Sequence, residues 1–286
     1  MLQDAAYRWG RGGTAIIACM TPVPSWFDAL GHAGGAPLRW LAGWWRIVFF
    51  GATVLVLAGS RSSYAPATRQ ALARHVYVDT VPILAGFTLL CAMLTLVITR
   101  IVVVTAQSYG LSQYALEMVI RVLVLELIPL TAALLVALRC TIPNGAALAE
   151  MRRSGHFSAL RSRGLEPVQT EALPRVLAGI FSTITLAALS CAVAIALAYL
   201  AVYGFTVAGI PAYTRMFGQV FNASVSLIFV LKTLLFSLAV SVIPMASGLY
   251  DVEGDGSRES AALQGLVRMF AVLIVLEAVS LVGNYY

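Results

Sequence analysis

Charge is scarce in this chain. Only 11% of its 286 residues are Asp, Glu, Lys or Arg, whereas soluble domains carry about a quarter. The single lysine, Lys232, follows Phe229-Val-Leu with no glycine loop before it, which excludes a Walker-type phosphate cradle. No G-x-S-x-G or H-E-x-x-H pattern occurs, and no carboxylate-dense motif. The four cysteines, Cys19, Cys91, Cys140 and Cys191, are far apart and lack C-x-x-C spacing, so neither a zinc site nor a disulfide framework is indicated. No secretory signal peptide is expected, because the apolar stretch Thr14–Met20 is short and Pro22 and Pro24 follow it. The apolar runs hold no histidine and no aspartate, which removes the serine–histidine and paired-aspartate chemistry of an intramembrane protease. Catalysis, a metal site and a cofactor are therefore not expected.

What is abundant is apolar surface. Hydrophobic residues make up 60% of the chain and the mean hydropathy is +0.86. They cluster in runs of the about 20 residues that a helix needs to cross a bilayer. Five spans are expected, at about 81–104, 113–138, 176–203, 221–244 and 262–282. Ahead of them, residues 38–58 combine Trp40, Trp44 and Trp45 with Arg39 and Arg46, the types favoured at a membrane boundary. An interfacial elbow helix is expected there, with a true first span as the alternative. Residues 1–37, rich in Gly and Pro, read as a cytoplasmic tail. The net charge of +6 reflects arginines placed between spans, so it orients the chain in the membrane rather than binding nucleic acid. Arg139, Arg152, Arg153, Arg161, Arg163 and Arg175 crowd the connection after the second span, while the one at 105–112 has no arginine. The positive-inside rule puts the N-terminus and the basic connection in the cytoplasm, and the C-terminus opposite.

Charges inside spans are costly, about 2.5–3.5 kcal/mol each on insertion scales, so each needs a partner, a span end or a wet cavity. Glu117 and Arg121 stand four apart in the favourable acid-first order and are expected to pair. Glu126 lies near mid-span, three residues before Pro129. That proline cannot donate to the carbonyl of Leu125, which leaves a free acceptor beside the carboxylate. The two acceptors call for a donor from water, from a ligand headgroup, or from Arg100 or Arg121. This stretch reads either as a polar cavity or as a structural ion pair. Lys232 and Glu277 are possible partners across spans, Arg268 can snorkel, and His156 is expected to face solvent.

The stretch from Glu126 to Arg175 also carries a resemblance. Glu126-Leu-x-Pro129, Arg139, Met151-Arg152, Gly164-Leu-Glu-Pro167 and Pro174-Arg175 match, without a gap, the pattern R-E-L-G-P, G-R-A-G, M-R, a-d-P and P-R. The chain resembles the MlaE/YrbE permeases of MCE-associated ABC lipid transporters, over most of its length beyond about residue 36. It departs from them at Leu125, where the arginine stands, at Ile128 for the glycine, at Leu138-Arg-Cys-Thr141 for Gly-Arg-Ala-Gly, and at Ala147 and Gly155 for two glutamates.

The resemblance implies an all-α membrane protein of the MlaE-like permease fold in a bacterial inner membrane. It implies a homodimer or heterodimer with a lipid cavity between subunits, and Glu126, Pro129, Arg121 and Arg100 are the cavity candidates. The implied partners are a separate MlaF-like ATPase, a MlaD-like MCE protein and, in some systems, a small STAS-type subunit. Residues 146–165 would be the coupling helix docked on the ATPase, using Leu148, Met151 and Leu160 as anchors among Arg152, Arg153, Arg161 and Arg163. Pro143 to Gly145 would be the joint between cavity wall and coupling helix. The alternatives are a degenerate, non-transporting scaffold or heterodimer partner, and a secondary carrier, which five spans without a repeat fit poorly.

Overall fold

The computed structural model describes residues 36–60, 66–110, 112–250 and 258–285. Residues 1–35, which hold most of the expected tail and Cys19, and residues 251–257 lie outside the described residues. Among the described residues every regular element is helical. The helices are α1 (Ala36–Gly59), α2 (Pro66–Ser108), α3 (Ser112–Val119), α4 (Ile128–Val136), α5 (Ile142–Arg153), α6 (His156–Ser162), α7 (Leu173–Tyr203), α8 (Ile210–Val220), α9 (Ala223–Tyr250) and α10 (Arg258–Tyr285). Short π-helical segments, Ile120–Leu127 and Ala137–Thr141, join α3, α4 and α5 into one rod. A third, Val168–Ala172, leads into α7.

Six helical stretches are long and apolar enough to cross a membrane, among them Leu41–Gly59 in α1 and Tyr114–Arg153 along the rod. The stretch in α1, expected as an interfacial elbow, thus meets the same measure of length and hydropathy as the five expected spans. One face packs on the core, with Ile47, Phe50, Val54 and Leu57 buried at helical spacing, while the outward face is also apolar, as at Trp45, Val48 and Leu55. The 41 residues of Thr68–Ser108 in α2 rise about 60 Å, twice the hydrocarbon thickness of about 30 Å. By length alone α2 and the rod extend beyond the bilayer.

α9 is the hub: it packs on α10, α7, α5, α1 and α4, while α2 lies along α7. Lipid tails are as apolar as leucine, so small residues and hydrogen bonds must bring such helices together. Thr80 Oγ1 and Ser182 Oγ lie 2.7 Å apart across α2 and α7. A Cβ at Gly179 would fall 2.7 Å from Ser241 Oγ and 2.9 Å from Thr141 Cγ2. A Cβ at Gly145 would fall 2.6 Å from the carbonyl oxygen of Pro244, and one at Gly248 would overlap the carbonyl of Gly145. α5 and α9 therefore cross backbone to backbone. Outward faces stay apolar, as at Leu89, Leu90, Ile274 and Val279.

Two expectations about 138–172 need correction. The second span does not give way to a loop at Leu138, because the helix continues through a π segment into α5. Pro143 to Gly145 is not a joint. Pro143 occupies the first turn of α5, where a missing N–H is tolerated, and Gly145 is the close-approach residue of the α5–α9 crossing. The chain bends at Gly155 instead, whose φ of 75° suits glycine, and again at Gly164 with φ of 73°.

Candidate functional site

The π segment Ile120–Leu127 is where the backbone departs from regular α geometry. The N–H of Ile128 reaches back five residues to the carbonyl of Leu123, and Pro129 has no N–H to offer. Side chains from neighbouring helices meet the next two carbonyls. Cys191 Sγ of α7 lies 3.5 Å from Val124 O, and Lys232 Nζ of α9 lies 3.3 Å from Leu125 O. The carbonyl of Leu125, expected as a free acceptor, is thus met by the only lysine of the chain.

The same ammonium pairs with Glu126 Oε2 and lies 2.8 Å from Glu277 Oε2 of α10. Asn284, two turns further along α10, donates from Nδ2 to Glu126 Oε1 at 3.2 Å. Glu126 and Lys232 are 9% and 3% exposed. A bilayer offers such groups no water, so each must find its counter-charge in protein or in a wet cavity. Here two carboxyl groups share one ammonium. The Phe236 ring lies 5.6 Å from Lys232 Nζ and closes one side of it. Leu125 and Ile128, which replace the arginine and glycine of the resembled pattern, are buried in the surrounding core.

The other cavity candidates fall elsewhere. Arg121 donates from Nε to Glu117 Oε1 at 3.0 Å, the helical pair expected from spacing. Arg100 is exposed on α2 and makes no ion pair among the described residues. Pro129 is buried one turn from Glu126. Sequence reasoning named Lys232 and Glu277 as possible partners of one another, missed their junction at Glu126, and missed Asn284 altogether. The one usable signal was a lone lysine in an apolar run, which must have an acid to face.

The candidate coupling segment forms α5 and α6. Leu148 is fully buried within the chain and Leu160 is 9% exposed, so these two anchors already pack inward. Met151 is half-buried, and Arg153, Arg161 and Arg163 are exposed. Arg152 donates to the carbonyl of Leu249 and ties α5 to the end of α9. His156 is exposed, as expected, and its Nε2 lies 3.8 Å from Glu171 Oε1. Glu171 also accepts from Arg175 Nη1 at 2.6 Å, which links α6 to the start of α7. Beside this pair, between α2, α5 and α7, lies a cavity of about 460 Å³ that Asp79 and Asn144 also line.

Helices long and apolar enough to span, packed around a buried ionic centre, define a multi-pass membrane protein. A family model described as Permease MlaE matches residues 71–282. The chain belongs to the MlaE permease family, and with it to the membrane permeases of ABC-type transporters. No curated protein matches the chain.

Proposed function

We propose that this permease moves a phospholipid or similar amphiphile between the inner membrane and an MCE-domain partner, driven by ATP that a separate subunit hydrolyses. The observation that carries this reading is the unbroken rod from Tyr114 to Arg153. It holds Glu126 at one level and Arg152 at another, so a push on α5 reaches the ionic centre through a single element. There the push acts on a cluster that ties the rod to α9 and α10. Exposed arginines on α6 and its flanks suit either an acidic ATPase surface or anionic headgroups of the cytoplasmic leaflet. A dimer partner, either a second copy or a paralogue, would cover part of the exposed apolar faces. With α1 lying at the membrane surface, the positive-inside rule puts the N-terminus and the α5–α6 segment together in the cytoplasm.

Affinity purification from native membranes tests the assembly: an ATPase and an MCE protein should co-purify, with lipid. Recovery of a second permease alone would sink the transport reading. In the reconstituted complex, Glu126→Gln should slow ATP-driven lipid movement more than it lowers stability in detergent. Unchanged transport with lower stability would make the centre purely structural. That second reading, a scaffold, has one observation in its favour: Glu126 already has partners in Lys232 and Asn284.

A further inference from the structure

The cavity between α2, α5 and α7 has polar walls of both signs. Arg74 lines it, is exposed, and makes no ion pair among the described residues. Arg175, 7% exposed, is anchored through Nη1 to the side chain and the carbonyl of Glu171. Asp79, 8% exposed, accepts from Asn144 Nδ2 on Oδ2 at 3.1 Å, while its Oδ1 has no hydrogen-bond partner among the described residues. Basic and acidic walls face one volume of about 460 Å³, within the range of small-ligand sites. A metal ion is a poor match, because no group of three His, Cys, Asp or Glu side chains among the described residues is placed to hold one.

The cavity's position selects the occupant. It lies where α2 turns apolar, just before Val81. Val78 lines the cavity and is 56% exposed. Val81, Ala85 and Leu89 continue that exposed face upward at helical spacing. A polar pocket thus opens onto an apolar stripe of the kind an acyl chain covers. We propose that this cavity holds the phosphate–ammonium headgroup of a membrane phospholipid, with phosphate at Arg74 and Arg175, ammonium at Asp79 and Glu171, and an acyl chain along Val78 to Leu89. The proposal deepens the lipid-transport reading and rests on the bilayer placement that reading assumes. Glu171 also lies 3.8 Å from His156 Nε2 of α6.

The test is native mass spectrometry of the full chain in detergent, with phosphatidylethanolamine, diacylglycerol of the same chains, and soluble phosphoethanolamine as probes. Phosphatidylethanolamine should be retained on the order of tenfold better than diacylglycerol, the value of one charge-assisted hydrogen bond. Arg74→Gln should remove that advantage and Arg74→Lys should restore part of it, while Arg215→Gln on α8 should leave it intact. Equal retention of both lipids, or no effect of Arg74→Gln in a monodisperse sample, overturns the proposal. Soluble phosphoethanolamine held as tightly as the lipid also overturns it, because the acyl stripe would then play no part. Binding requires no ATPase: a chain that retains the lipid through Arg74 but moves none in the full complex refutes the transport reading and leaves this site standing.

Discussion

Replacing Lys232 with methionine should be among the most damaging single changes in the chain. The side chain is 1% exposed, and methionine keeps most of its volume, so the loss is electrostatic rather than a cavity. The substitution strands Glu126, loses the contact to Leu125 O, and leaves Glu277 facing Glu126 without a cation between them. Removing one partner of a buried pair costs about 3–5 kcal/mol, because the remaining charge is buried without compensation. Replacing the whole cluster by neutral groups is often close to neutral. Lys232→Met should therefore lower stability in mixed-micelle denaturation by about 3–5 kcal/mol. The triple variant with Glu126→Gln and Glu277→Gln should recover more than half of that loss, a coupling visible only in a mutant cycle. If Lys232→Met costs the same with and without the two glutamates, the damage comes from packing, and the ionic centre has been misjudged.

Other contacts should respond on a graded scale. Gly248→Val places a branched side chain into the Gly145 carbonyl; it should cost upwards of about 3 kcal/mol and abolish the monodisperse peak in size-exclusion chromatography. Gly155→Ala keeps the space but forces an L-residue to φ of 75°, and should cost about 1–2 kcal/mol, seen as faster proteolysis between α5 and α6. Glu117→Gln breaks a half-exposed pair within one helix and should change stability by less than about 1 kcal/mol. A loss as large as that of Lys232→Met would contradict the distinction between the two pairs.

Some of this was readable along the chain and some was not, for physical reasons. The orphan carbonyl at Leu125 follows from Pro129 alone, because a missing N–H is a local fact. The donor lies 107 residues away on α9, and no local rule carries information across that distance. Arginine at four or five residues looked nearer, yet Arg121 is held by Glu117 on its own helix. Pro143 and Gly145 read as a break because both residues weaken helix interiors. The fold uses them otherwise: the π segment places Pro143 in a first turn, and the missing Cβ of Gly145 admits Pro244. Trp and Arg around residues 39–46 suit an interfacial helix and the end of a span equally well, so composition alone does not separate them.

The ionic centre gains meaning from which elements it joins. Glu126 belongs to the rod that reaches α5, Lys232 to the hub α9, and Glu277 and Asn284 to one face of α10. A purely stabilising pair needs one or two helices, whereas this cluster spans three and sets two carboxyl groups against one ammonium. A shift of the rod along α9 by more than the lysine side chain can follow would part Glu126 from Lys232. The ammonium then retains Glu277, and Glu126 is left with Asn284 alone. A group that changed partners in this way would sense the rod's position or favour a cationic headgroup when exposed. Buried π segments supply the means, because a π turn moves along a helix by shifting one hydrogen bond at a time, and Ile120–Leu127 already holds one at the level of the charge.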